Sequence, residues 1–175
     1  MRTIRWAAVS AAALLLAGCA SGSSSAEVEA SAPAAGVEET ATVKQYASTI
    51  SEQHAFVDAW LSAWDELGCK STDLSDDPTC SMSATTGGLR AAAAGLSINE
   101  LSDDTADGYA GSPPAEIADL YESTLAAAQS AEDAGRTYIS ELDCPDDDEC
   151  PSALLKIHGA MRTLKGEFSK WTPYY

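Results

Sequence analysis

Residues 144–157 read CPDDDECPSALLKI, a short acidic segment closed by two cysteines and followed directly by an apolar run. Pro151 suits the first turn of a helix, and Pro173 is placed to end one. Between them the large apolar residues recur every three or four positions, at Leu154, Ile157, Met161, Leu164, Phe168 and Trp171. This spacing places their side chains on one helix face. The stretch therefore predicts an amphipathic helix that starts behind a tight, cysteine-bracketed turn.

The same arrangement occurs earlier in the chain. Residues 69–80 form a second polar segment closed by two cysteines, with Asp73, Asp76, Asp77 and Pro78 inside it. The preceding segment, about Glu38 to Leu67, has apolar or aromatic residues at helical spacing, namely Val43, Ala47, Ile50, His54, Val57, Leu61 and Trp64, with Tyr46 and Trp60 beside them. Gly68 is placed to end this first helix.

Two further helices are predicted between these features. Helix two is expected at about Ser81–Asn99, weakened by its glycines at about 1 kcal/mol each. Its apolar side is predicted to consist of Met82, Thr86, Leu89, Ala93 and Leu96. Ser112 and Pro113 are expected to begin helix three, whose inner face is predicted to consist of Ile117, Tyr121, Thr124, Ala128, Ala131, Gly135, Tyr138 and Leu142. The small residues of helix three should accommodate Trp60 and Trp64.

Four amphipathic helices with two short connections and one longer connection predict an all-α fold, an antiparallel up-down four-helix bundle over residues 38–175. Cys69, Cys80, Cys144 and Cys150 allow three disulfide pairings. We favour Cys69–Cys80 and Cys144–Cys150, because each pair brackets a helix-hairpin turn whose ends are already close. The Ser-, Ala- and Gly-rich segment before residue 38 has no periodicity and reads as a flexible linker.

The N-terminus carries Arg2 and Arg5, then an apolar run from Trp6 that closes with Leu-Ala-Gly-Cys at residues 16–19. The run is shorter than the roughly 20 residues that span a bilayer, but it suits a signal peptide. It resembles the lipobox signal of bacterial lipoproteins, and the Ala-rich, Lys-poor composition resembles that of actinobacterial exported proteins. The resemblance implies removal of residues 1–18 and lipidation of Cys19, with acyl chains such as palmitate, leaving residues 19–37 as the lipidated linker. The alternative is an ordinary secretory signal with a chance cysteine.

Charge excludes one class of partner. Loss of Arg2 and Arg5 would leave 8 basic against 27 acidic residues, a net charge of −19. Nucleic-acid affinity depends on Lys and Arg facing phosphates, so neither DNA nor RNA is an expected partner. The even number of cysteines left beside Cys19 is typical of an exported chain with disulfides.

The sharpest candidate for chemistry is the acidic tip, which we define as the carboxylates of the two cysteine-closed turns. Its candidate metal ligands are Asp76, Asp77, Asp146, Asp147 and Asp148, and Asp73, Asp143 and Glu149 lie beside them. Ca²⁺ takes six to eight oxygen ligands, but no EF-hand pattern is present. The favoured interpretation is that some of these carboxylates face helix N-termini and the rest are solvated. No metal or other cofactor is therefore predicted.

Other features point away from catalysis. His54 and His158 should differ by roughly 10 Å in height along the bundle, so a shared metal site is not expected. No nucleophile elbow, phosphate loop or dinucleotide fingerprint is present, and we predict that the protein is not an enzyme. At the C-terminus, Lys165, Lys170 and the final aromatics suit a membrane interface, but core packing by Phe168 and Trp171, with the tyrosines against helix one, is favoured.

These observations predict a lipid-anchored lipoprotein on the extracytoplasmic face of the cell membrane. Its expected role is that of a non-enzymatic binding module for another envelope protein or a cell-wall component. The alternative is a lipoprotein that binds a cation or small solute at the acidic tip.

Overall fold

The computed structural model describes residues 41–175. Four helices form the bundle: α1 (Val43–Leu67), α2 (Pro78–Glu100), α3 (Ala118–Arg136) and α4 (Cys150–Ser169). A π-helical segment, Thr137–Glu141, continues α3, and a 3-10 turn, Thr172–Tyr174, follows α4. The residues predicted as signal peptide, lipidated Cys19 and linker lie outside the described part of the chain.

The helices pack in the order of an up-down bundle. Contacts join α1 to α2, α2 to α3, α3 to α4 and α4 back to α1, and α2 also meets α4. The predicted fold class is therefore confirmed. No helix within residues 41–175 has both the length and the apolar content needed to cross a bilayer.

Both cysteine-closed turns have the predicted pairing. Disulfides join Cys69 to Cys80 and Cys144 to Cys150, with Cα–Cα distances of 5.6 and 5.7 Å. Each bridge ties the end of one helix to the start of the next. On the loop-entropy model, loops of 11 and 6 residues each give about 2–3 kcal/mol of stabilisation.

Helix α1 is delimited by local signals at both ends. It begins at Val43 rather than near Glu38, because Thr42 and Gln45 form a capping box in which each side chain accepts a hydrogen bond from the other's backbone N–H. Gly68 ends the helix with φ of 65°, a left-handed conformation that glycine adopts without steric strain.

Helix α3 starts later than the sequence pattern indicated. Ser112 and Pro113 do not open it, since the helix begins at Ala118 with Ile117 before it. The reason is Pro114: a residue that precedes proline is disfavoured in helical conformation, so Pro113 is kept out of the helix. A turn precedes the helix, in which the backbone N–H of Ile117 donates to the Pro114 carbonyl at 3.0 Å, and the Tyr121 N–H then donates to the Ile117 carbonyl at 2.8 Å.

The core is built from the predicted faces of α1, α3 and α4. Ile50 and Val57 of α1 are fully buried, as are the five apolar residues predicted for the inner face of α4 and Trp171 just after that helix. Most of the predicted α3 face is also buried, including the polar Thr124, and Leu142 is partly buried. The large side chains that the helical spacing singled out in these three helices therefore do form the core.

Helix α2 is turned the other way from the prediction. Its buried face consists of small residues with Ile98 at one end and Cys80 at the other, namely Cys80, Ala84, Gly87, Gly88, Ala91, Ala92, Ala94, Gly95 and Ile98. The predicted apolar side, Met82, Thr86, Leu89, Ala93 and Leu96, is exposed to solvent. The small face is inside because it lets the α2 and α3 backbones approach closely: a Cβ added at Gly135 would collide with the Gly88 carbonyl and lie 2.9 Å from the Ala92 nitrogen.

The prediction that the small residues of α3 accommodate Trp60 was therefore wrong, because Gly135 and Ala128 of α3 meet α2. Trp60 packs over α2 instead, where a Cβ at Gly87 would lie 2.5 Å from its Cε2 atom. Its indole N–H donates to the Ser83 carbonyl at 2.9 Å. The indole ring of α1 thus lies directly against the α2 backbone at Ser83 and Gly87.

Candidate functional site

A groove runs along the outer surface between α1 and α2. It has a volume of about 360 Å³, and its lining residues are Phe56, Ala59, Trp60, Ala63, Leu67, Thr79, Met82, Ser83, Thr86 and Arg90. The Trp60 indole, which packs against Gly87 of α2, forms part of the groove lining. Pockets of this size with aromatic walls and few polar groups are typical of binding sites.

Arg90 is the charged residue of the groove. Its guanidinium carbon lies 4.4 Å from the centre of the Phe56 ring, a cation–π contact. None of the ion pairs within residues 41–175 involves Arg90. In a chain with 27 acidic residues, a cation on an apolar wall that has no carboxylate partner among residues 41–175 is a distinctive feature of this surface.

The outer face of α2 extends the groove into a longer apolar ridge, formed by Met82, Thr86, Leu89, Ala93 and Leu96. The exposed fractions of Met82, Leu89 and Leu96 are 71%, 55% and 42%. Sequence reasoning found these residues but assigned them to the core. The signal for the correct orientation was the run of glycine and alanine at helical spacing on the opposite face.

The acidic tip is used for local hydrogen bonds. The Asp77 carboxylate accepts from the backbone N–H groups of Thr79 and Cys80 and thereby caps α2. The Asp147 carboxylate accepts from the Glu149 N–H at 2.8 Å. The side chains of Asp76, Asp146 and Asp148 are exposed. Within residues 41–175, no three His, Cys, Asp or Glu side chains are grouped so that they could hold a metal ion.

The two histidines have separate environments. The ring of His54 lies 3.3 Å from the Tyr175 hydroxyl and 3.7 Å from a carboxylate oxygen of Asp58. His158 packs edge-on against Trp60 at 6.0 Å between ring centres. Burial, followed by the charge of Arg162, lowers the pKa of His158 below its usual value, partly offset by Asp65. Both histidines therefore belong to aromatic packing.

Of the C-terminal aromatics, Phe168 and Trp171 lie in the core as the favoured interpretation predicted, whereas Tyr174 and Tyr175 keep exposed fractions of 37% and 50%. Phe168 and Trp171 are fully buried, and the Trp171 indole N–H donates to the Thr124 hydroxyl at 2.9 Å. The Tyr175 hydroxyl lies beside His54 of α1 and 2.9 Å from the Phe168 carbonyl, and burial raises the pKa of Tyr175. Lys165 and Lys170 form ion pairs with Asp58 and Glu167.

A tyrosine pair holds the loop between α2 and α3. The rings of Tyr46 and Tyr121 meet edge-to-face with centres 4.7 Å apart. The Tyr46 hydroxyl donates to the Gly111 carbonyl at 2.6 Å, and the Tyr121 hydroxyl donates to the Ile98 carbonyl at 2.6 Å. Burial, with the nearby Tyr121, raises the pKa of Tyr46 to about 12, and burial also raises the pKa of Tyr121. This cluster is structural.

Comparison with known proteins gives no relative: no family model, curated protein or solved structure matches the chain.

Proposed function

We propose that this chain is a lipid-anchored lipoprotein of the cell envelope, and that its four-helix bundle is a non-enzymatic module that binds another envelope component. The observation that carries the binding role is the α1–α2 groove with its exposed apolar ridge. Exposed apolar surface of this kind marks interaction sites in soluble domains. The anchor rests on the sequence at residues 16–19, with Cys19 as the lipidated residue.

The groove replaces the acidic tip as the preferred binding surface. The carboxylates of Asp77 and Asp147 are engaged by backbone N–H groups of their own turns. No observation in the bundle favours the alternative of a cation or solute held at the tip, and that alternative stays a prediction of the sequence.

Intact mass spectrometry of the full chain, recovered from a bacterial expression host with a lipoprotein pathway, tests the anchor. The expected product begins at Cys19, carries the added mass of a diacylglyceryl group, and has four cysteines in disulfides. A Cys19→Ser variant should keep its first 18 residues and gain no lipid mass. Recovery of the unprocessed chain from the cytosol with five titratable thiols would overturn the proposal.

A further inference from the structure

The exposed ridge of α2 has the spacing of a helix-packing seam. Met82, Thr86, Leu89, Ala93 and Leu96 follow each other at steps of four, three, four and three residues. This is the a/d spacing of a coiled coil, in which each apolar side chain fits between residues of a facing helix. No helix within residues 41–175 covers this seam, since the five residues are exposed.

The groove beside the ridge has the length for such a helix. Phe56 and Leu67 of α1 mark its two ends, 11 residues apart, which corresponds to about 16 Å of helix axis. Three turns of a partner helix would therefore lie along it, with Met82 and Thr86 on one side and Ala59 and Ala63 on the other. A longer helix would continue past Arg90 along the ridge to Leu96, which places Arg90 near the middle of the contact. Helix-in-groove binding has this form.

Charge decides which kind of helix fits. Arg90 is the only charged residue of α2 between Pro78 and Asn99, and the groove lining contains no carboxylate. A helix with an acidic residue at the middle of its apolar face would meet Arg90 with opposite charge. A second copy of this chain fits poorly, because a two-fold contact centred on Leu89 would bring the two Arg90 side chains together. It would also join two strongly acidic bodies.

We propose that the α1–α2 groove binds an amphipathic helix of a different protein. The helix presents apolar residues at heptad spacing to the α2 ridge and one carboxylate to Arg90. This inference rests on the proposed role as a binding module and specifies the chemistry of its partner.

The test uses the full chain in phospholipid nanodiscs and two labelled helical peptides. Both peptides have three heptads with leucine at a and d, and they differ only in a central residue, Glu or Lys, placed to face Arg90. Fluorescence anisotropy should give binding of the Glu peptide at micromolar concentration and at least tenfold weaker binding of the Lys peptide. An Arg90→Gln variant should remove the difference between the two peptides.

Matched leucine variants locate the binding surface. Leu89→Gln should weaken binding of the Glu peptide at least tenfold. Leu155→Gln, which changes an α4 leucine of similar exposure (62% against 55%), should leave binding unchanged. Both positions are solvent-exposed, and circular dichroism should show unchanged helix content in each variant.

Three outcomes would overturn the inference. The first is equal or absent binding of the two peptides by the unaltered chain. The second is a dimer in sedimentation that Leu89→Gln dissociates, which would assign the groove to a second copy. The third is vesicle binding by protein released from its lipid, lost in Leu89→Gln, which would assign it to a membrane surface. The peptide assay runs equally on protein recovered in soluble form, so failure of the anchor and failure of the groove are distinguishable.

Discussion

The close approach of α2 and α3 gives the sharpest stability prediction. Gly135→Ala adds a single methyl group at the point where the two backbones meet. The added Cβ would collide with the Gly88 carbonyl and lie 2.9 Å from the Ala92 nitrogen. Both neighbours are main-chain atoms, so the strain is relieved only if one helix moves.

The magnitude follows from two opposing effects. Alanine in a helix interior is favoured over glycine by about 1 kcal/mol. Overpacking a close contact is unfavourable by about 1–3 kcal/mol, and rigid neighbours place this site at the upper end. We therefore expect Gly135→Ala to lower the free energy of unfolding by about 2 kcal/mol. At an unfolding entropy of about 2.1 cal/mol/K per residue, that is a fall in Tm of roughly 7 °C for the described part of the chain.

Gly159→Ala is the matched control. Gly159 is also inside a helix, α4, but a Cβ there would meet no atom within 4 Å. Only the gain in helix propensity remains, so this variant should be more stable by about 0.5–1 kcal/mol, or roughly 2–4 °C in Tm. Thermal unfolding by circular dichroism and urea titration at constant m-value measure both variants.

The same Gly→Ala substitution should therefore lower the Tm at position 135 and raise it at position 159. If Gly135→Ala raised the Tm as Gly159→Ala does, the α2–α3 contact would be looser than the structure shows. The assignment of the small residues of α2 to the core, and of its ridge to solvent, would then be refuted together.

Four further predictions concern the core, the turns and the tip. Trp171→Phe should lower the free energy of unfolding by about 1–2 kcal/mol in urea titration, because Thr124 loses its buried hydrogen-bond donor. The same substitution should have a smaller effect on the free energy of unfolding when Thr124 is already replaced by Val. Reduction of the two disulfides should lower it by about 2–3 kcal/mol per bridge, measured with and without dithiothreitol. The pKa of folded His158 lies below the usual 6.5, so the unfolded chain binds a proton at this residue more readily than the folded chain. The Tm should therefore fall as the pH drops through about 6.5, and it should fall less in a His158→Gln variant. Calorimetric titration with Ca²⁺ should show no binding heat at the acidic tip, and a saturable heat would revive the cation-binding alternative.

The sequence predicted the fold well where burial depends on large side chains. In α1 and α4, residues such as Ile50 and Leu164 stand out by size and hydropathy, and a helix that carries them on one face must turn that face inward. The paired cysteines were equally readable, because each pair brackets a turn whose ends the hairpin already brings together.

The buried face of α2 was predicted wrongly because a hydropathy pattern describes each helix without its neighbours. Met82 and Leu89 are more apolar than Gly88 and Ala91, so the pattern favoured them as the buried face. The orientation of α2 is decided by the favourable packing of its backbone against that of α3. This packing is possible only when the small residues of α2 meet Gly135 of α3. That depends on a neighbour whose position the α2 sequence does not encode.

The candidate site was hidden for the same reason. A groove between α1 and α2 requires that α2 turn its ridge outward and that Trp60 lie over Gly87, and both facts concern pairs of helices. The sequence instead indicated the acidic tip, because its carboxylates are clustered. In the structure, the carboxylates of Asp77 and Asp147 accept hydrogen bonds from backbone N–H groups of their own turns.

The order of the disulfides along the chain bears on how the protein matures. Each bridge joins a cysteine to the next one in sequence, Cys69 to Cys80 and Cys144 to Cys150. A polypeptide that emerges N-terminus first can oxidise its first pair while the second is still inside the translocation or synthesis machinery. Neither linkage then has to be broken and remade, so correct cystine formation should proceed without a disulfide isomerase.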